Sequence, residues 1–307
     1  MRLEGIHHIT AITGDAPQNV RFYAGTLGLR LVKKSVNQDD PTVYHLFYAD
    51  EEGGAGSDIT FFEYPGARRG RAGAGMVHRI TWRVASEDAL DFWDERLGSR
   101  GVQTTRDDGR LRFDDPEGLS LELAVVETTD EPLRARHPEI PEEHALMGFD
   151  GARAYTRDPR ASAEFLSSGL NFVPESEFLW TVRGDSRGSF YAYDTAPGAG
   201  VGGAGTVHHV AFASPMNEHE AWRNRVVEAG ADATPIIDRF YFKSIYFREP
   251  SGVLFEIATI GPGFDVDEPR EELGRHLSLP PDYEHLREKL EKVLTPLPDP
   301  RAEELAR

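Results

Sequence analysis

The chain has no cysteine, which excludes disulfide scaffolds, thiolate zinc sites and cysteine nucleophiles. Any metal it holds must be bound through nitrogen or oxygen. It also lacks an apolar run of membrane-spanning length, and Met1 to Thr10 carry histidine and charge where a signal segment would be apolar. A cytoplasmic location, with no membrane partner, is the expectation. Basic residues are scarce, with 34 Lys and Arg against 52 Asp and Glu for a net charge of −18, so nucleic acid is not an expected partner. No P-loop is present. The glycine-rich runs 72–75 and 198–205 lead into β-like segments and read as flexible entries to them.

What is present is repetition. The 307 residues, 39% of them hydrophobic, exceed one ordinary core and suggest two domains of roughly 150 residues. Ile6-His7-His8-Ile9 and Val207-His208-His209-Val210 are near copies, each in a β-like run followed by a helical pattern. After the first, Asp15 caps a helix carrying Val20, Tyr23 and Leu27 that Gly28 ends; after the second, Ser214-Pro215 starts one through Trp222 and Val226 that Gly230 ends. Val77-His78-Arg79-Ile80 and Ala152-Arg153-Ala154-Tyr155 open two weaker copies, whose helices run through Leu90, Trp93 and Leu97 and from Asp158-Pro159 to near Gly169. The segments 113–122 and 247–256 both run from Phe through a Pro-x-Gly turn to Glu, the mark of a β-hairpin.

The predicted fold is α+β: four βαβββ modules forming two cup-shaped mixed-sheet domains. Residues 1–127 hold modules one and two, 128–149 a linker, 150–260 modules three and four, and 261–307 a tail with a short helix around Tyr283 to Val293 followed by Pro-rich residues. Aligning the modules puts His8 and His209 at one position, with Arg79 and either Arg153 or Ala154 in the others. Modules one and four are therefore expected to share a metal-bearing cup. Glu256 ends the last strand of module four, beside its first strand in such a sheet. Two imidazoles and one carboxylate with the remaining positions open form the facial triad of non-haem Fe(II) oxygenases, although Mn(II) or Zn(II) would accept the same donors. Glu122 faces Arg79 and reads as a structural remnant, and His45, which could face either the pocket or a backbone partner, is left outside the ligand set. His137, His144, His219, His276 and His285 fall in polar surroundings and are expected to be solvated.

These motifs, together with 27–34, 44–50, Phe255-Glu256 and Gly263-Phe264, give the chain a resemblance to the vicinal oxygen chelate superfamily over nearly its whole length. Within it, the chain resembles the hydroquinone ring-cleaving dioxygenases. That resemblance implies His8, His209 and Glu256 as metal ligands, His7 and His208 as neighbours that contact the aromatic diol and take its proton, and Arg239 and Tyr246 as pocket residues. It also implies a small aromatic substrate and O2 as partners, and leaves a homo-oligomer open. The alternatives are a metal-dependent isomerase like glyoxalase I, with Glu63 at the end of module one as a further ligand, and a non-enzymatic small-molecule binding member. The dioxygenase reading expects Glu63 outside the ligand set, at an exposed strand end and paired with a basic residue or solvent.

Overall fold

The computed structural model describes residues 1–299; the end of the Pro-rich tail lies outside the described residues. Module one comprises β1 (Ile6–Thr13), α1 (Ala16–Val20) widening into a looser helical turn at Arg21–Thr26, β2 (Arg30–Asn37), β3 (Asp40–Ala49) and β4 (Asp58–Glu63). Module two follows with β5 (Met76–Val84), α2 (Glu87–Ser99), β6 (Thr104–Asp107), β7 (Arg110–Asp114) and β8 (Ser120–Val125). Module three has β9 (Phe149–Thr156), one wide helical turn at Phe165–Gly169, β10 (Val173–Ser176), β11 (Leu179–Arg183) and β12 (Gly188–Thr195). Module four has β13 (Val207–Ser214), α3 (His219–Glu228), β14 (Ile237–Asp238), β15 (Phe242–Arg248) and β16 (Leu254–Pro262), and the tail carries α4 (Arg287–Val293).

Local chemistry sets these boundaries. The Asp15 carboxylate accepts from the Gln18 N–H and the Ser86 hydroxyl from the Ala89 N–H, capping α1 and α2. Gly28 and Gly230 take left-handed conformations where their helical segments end. α2 turns Ala89, Leu90, Trp93 and Leu97 into the core and α3 turns in Trp222 and Val226. The two Pro-x-Gly turns share one internal device: Asp115 accepts from the N–H groups of Glu117 and Leu119, and Glu249 from those of Ser251 and Val253. The helix expected from Asp158 shrinks to the single wide turn.

The strands form two eight-stranded mixed sheets, ordered β14-β15-β16-β13-β1-β4-β3-β2 and β10-β11-β12-β9-β5-β8-β7-β6. The first joins modules one and four, as the histidine pattern anticipates; the second joins modules two and three. In each, two central strands run antiparallel (β1 with β13, β5 with β9) and each pairs in parallel with the last strand of its own module. The largest core cluster takes side chains from both sheets, including Ile9, Phe61, Trp82, Leu121, Tyr191 and Phe255. A smaller one sets Val32, Phe47, Ala211 and Tyr241 against Phe264 and Leu273 of the tail.

The tail is strapped to β2. Lys33, fully buried, donates to Asp267 at 2.8 Å and also to Glu268, while Arg30 donates to the Arg270 carbonyl at 2.7 Å. Tyr283 donates to the Gln38 carbonyl and Thr295 to Glu63. The glycine-rich runs are not loose entries: they pair with each other through bridges Arg71 to Val201 and Ala74 to Ala199. A Cβ on Gly73 would lie 2.2 Å from the Gly200 nitrogen, so that glycine is required by backbone approach.

Gly73→Ala is accordingly expected to lower unfolding free energy by about 1–3 kcal/mol. Gly98→Ala, in α2 with nothing within 4 Å of the added carbon, should raise it by about 0.5–1 kcal/mol. Urea melts of the two variants measure both, and a Gly73→Ala protein as stable as its parent would count against the close approach.

Candidate metal centre

A flat strand would send His7 and His8 to opposite faces. Here the register of β1 against β13 slips at both doublets: Ile6 pairs with Phe212 and His8 with Ala211, while Thr10 pairs with His209 and Ala11 with Val207. His7 and His208 are thus the extra residues of two β-bulges, and each bulge re-aims its side chain toward its neighbour. The His7 and His8 Nδ1 atoms come to 3.0 Å and those of His208 and His209 to 2.8 Å.

Glu256 pairs with Ala211 across β16 and β13, which brings its carboxylate beside both second histidines. Its Oε2 lies 3.2 Å from His8 Nε2 and 2.9 Å from His209 Nε2, with the two Nε2 atoms 3.3 Å apart. All three side chains are buried, and among the described residues they are the one His/Asp/Glu group close enough to hold a metal ion. Donors about 2.1 Å from one metal at cis positions lie about 3 Å apart, so the spacing fits a common centre.

The hydrogen bonds fix which nitrogens are free. The Thr259 carbonyl can only accept, so the 3.2 Å contact makes His7 Nε2 a donor. Burial, and then the neighbouring His8, lower the His7 pKa to about 3, so the ring is neutral and its Nδ1 accepts from His8 Nδ1–H. His8 Nε2 is then left facing a carboxylate. Two acceptors in contact repel unless a cation lies between them, and either a proton or a metal fills that need. Burial opposes charge on His8, but the Glu256 carboxylate prevails and raises its pKa. Glu256 itself, despite burial, is held well below the usual carboxylate range by the two imidazoles. Burial dominates at His209, lowering its pKa.

Above the triad a cleft of about 450 Å³, counting its open mouth, is lined by His8, His209, His45, Phe242, Tyr246 and Arg239 among others. The Tyr246 ring centroid lies 5.6 Å from that of His209, and the Arg239 guanidinium sits over the Tyr246 ring at 5.4 Å. Burial, and next the Glu256 charge, push the Tyr246 hydroxyl well above its ordinary value, so it is a donor. Arg239 is anchored across the mouth by two hydrogen bonds to Asp39. His7 and His208 stand behind the ligand rings and do not line the cleft.

His45, outside the ligand set, lines it too, the pocket-facing one of its two alternatives. Its Nε2 is 2.9 Å from the Thr60 hydroxyl, and burial followed by the charges of His8 and His209 keeps its pKa well below the usual value. Its alternation with Phe47 along β3 is the signal that it shares the cleft face. Glu63 lies outside the triad, but not at an exposed end: it is buried and accepts from the Ala16 N–H at 3.3 Å and the Thr295 hydroxyl at 3.0 Å. The tail covers it. His219 and His137 are also buried, against expectation, His219 within 3.0 Å of the Ser214 hydroxyl.

The model of the Glyoxalase/Bleomycin resistance protein/Dioxygenase superfamily matches residues 5–123 and 148–257. MhqO of Bacillus subtilis (strain 168), named a candidate ring-cleaving dioxygenase, is 42% identical over 95% of this chain and 96% of its own. A chlorohydroquinone/hydroquinone 1,2-dioxygenase of Sphingobium indicum is 32% identical over 95% of this chain and 96% of its own. A solved structure of a candidate dioxygenase from Bacillus subtilis subsp. subtilis str. 168 is 39% identical, with a TM-score of 0.91 over 97% of this chain and 98% of that one.

A divalent metal entering between His8 and Glu256 competes with a proton for the same lone pairs. Uptake should release on the order of one proton and weaken as pH falls below the raised His8 value. Calorimetry in buffers of different ionisation enthalpy reads the release. Uptake that releases no proton and is flat from about pH 5 to 8 would overturn this protonation pattern.

Proposed function

Since the chain belongs to the Glyoxalase/Bleomycin resistance protein/Dioxygenase superfamily, we propose that it is a ring-cleaving dioxygenase acting on a hydroquinone-type or other aromatic diol, with Fe(II) held by His8, His209 and Glu256. The observation that carries this reading is the convergence of three, and not four, protein donors among the described residues. Glu63, the residue that would complete a glyoxalase-like set, is occupied by Ala16 and Thr295. The printed activity of the Sphingobium relative on chlorohydroquinone and hydroquinone supports the substrate class. Fe(II) in such a site supplies adjacent open positions for a diol and O2, and the redox capacity that ring cleavage requires.

The side chains supply the rest. His7 and His208 act on the ligands: each accepts from the Nδ1–H of its neighbour, which orients that imidazole and leaves Nε2 for the metal. The diol must give up a proton on binding, and His45 is the neutral imidazole on the cleft wall with a ring nitrogen free of the Thr60 contact. Tyr246 donates to a substrate oxygen, and Arg239, with no proton to lose at neutral pH, stabilises negative charge as it develops there. Phe242 and Phe62 on the cleft wall offer apolar surface to a flat ring.

Anaerobic loading with Fe(II) followed by O2 measurement tests the reading. Hydroquinone, and more weakly catechol, should drive O2 uptake, with no turnover of the methylglyoxal–glutathione hemithioacetal. His209→Ala and Glu256→Ala should lose tight metal binding while remaining folded, and His45→Gln should keep the metal and lose turnover by about 10²-fold or more. Glu63→Gln should change neither metal content nor uptake. Hemithioacetal isomerisation without O2 consumption, abolished by Glu63→Gln, would replace this function with the isomerase.

A further inference from the structure

The second sheet repeats the first, so each position of the metal cup has a counterpart that the register identifies. Thr81 pairs with Glu122 as Ala211 pairs with Glu256, and with Gly151 as Ala211 pairs with His8. Gly151 therefore stands in the place of His8, correcting the sequence alignment that put Arg153 or Ala154 there. Arg79 stands in the place of His209 and Glu122 in that of Glu256. Even the bulges persist: Val77 pairs with Ala154 and Arg79 with Arg153, leaving His78 as the extra residue that His208 is in the first cup. Arg112, opposite Glu122, takes the place of Tyr246, opposite Glu256.

One ligand has become glycine and another arginine, so this cup holds no metal triad. A guanidinium takes the cation's role, with Arg79 Nη1 3.8 Å from Glu122. The cup remains open, a cleft of about 900 Å³ counting its mouth, twice the space over the triad. Four arginines, Arg79, Arg110, Arg112 and Arg153, line it with only two carboxylates, Glu122 and Asp194. Glu122 lies buried at the floor and accepts from Arg110 and Arg112; Asp194 accepts two bonds from Arg153. Each of these three guanidiniums keeps N–H groups with no partner among the described residues, and all three side chains are about a third exposed. Arg79 adds a fourth charge beneath them. His78 and Tyr155 stack at 3.7 Å to form a flat wall.

A surplus of two positive charges concentrated in one cleft stands out in a chain of net charge −18, where arginines scattered only for solubility would serve no purpose. We infer that the second cup is a binding site for a small oxyanion, carrying carboxylate or phosphate oxygens gripped by Arg79, Arg110, Arg112 and Arg153. Planar guanidinium forks match both groups in paired hydrogen bonds. The site is separate from the metal cup and does not depend on what that cup catalyses.

Calorimetric titration of the full chain with maleate and with inorganic phosphate tests the site and distinguishes the two oxyanion sources. Saturable one-site binding of either is expected, weakening as NaCl rises, retained in Glu256→Gln, and weakened at least about tenfold, or 1.4 kcal/mol, in Arg112→Gln/Arg153→Gln. Crystals of the unsubstituted protein grown with the better probe should show it on these arginines, a readout that does not depend on the variant folding. No saturation by either probe, binding lost in Glu256→Gln, binding unchanged in the folded double variant, or probe seen only at the triad would each overturn the inference.

Discussion

The antiparallel pairing of β1 with β13, bulged once at each histidine doublet, carries every other feature of the candidate metal site. It brings together residues about two hundred positions apart in the chain. Two strands in plain register would present one imidazole of each pair to the cup and turn the other away. The bulges keep both on the same side, so one ring of each pair meets Glu256 while the other holds it from behind. Bulges serve here as positioning devices, in line with their frequency beside active sites.

The electrostatics follow from that backbone. A relay from the Thr259 carbonyl through His7 to His8 sets the proton positions, and its end point is a nitrogen lone pair pressed against a buried carboxylate. Burying such a pair is expensive unless a cation joins it. The protein therefore places its desolvation cost where a proton or a metal ion would relieve it. The tail contributes by closure: its contacts to Lys33, Arg30 and Glu63 cover the edge of the cup and occupy the carboxylate that ends β4.

The two sheets show how one frame takes two chemistries. Central antiparallel strands, flanking parallel strands, hairpin turns and bulges are common to both, because these depend on backbone pairing and on small turn devices. The side chains on the concave faces are free to differ. A glycine and an arginine in place of two histidines, with an arginine in place of a tyrosine, replace the grouping of His8, His209 and Glu256 with a cleft rich in guanidinium.

Repeats, doublets and hairpin turns are local patterns, and from them the sequence alone specified four modules, their strand and helix order, the partnership of modules one and four, and the grouping of His8, His209 and Glu256. Spacing along a strand was sufficient there because a repeated motif reports a repeated place in the fold. Which atom of each residue meets which neighbour was not legible. The bulges at His7 and His208, the burial of Glu63 under the tail and the counterpart of His8 at Gly151 all depend on contacts between segments remote in sequence. A one-residue slip redirects a side chain to the other face without changing a letter of the sequence, so only tertiary pairing decided them.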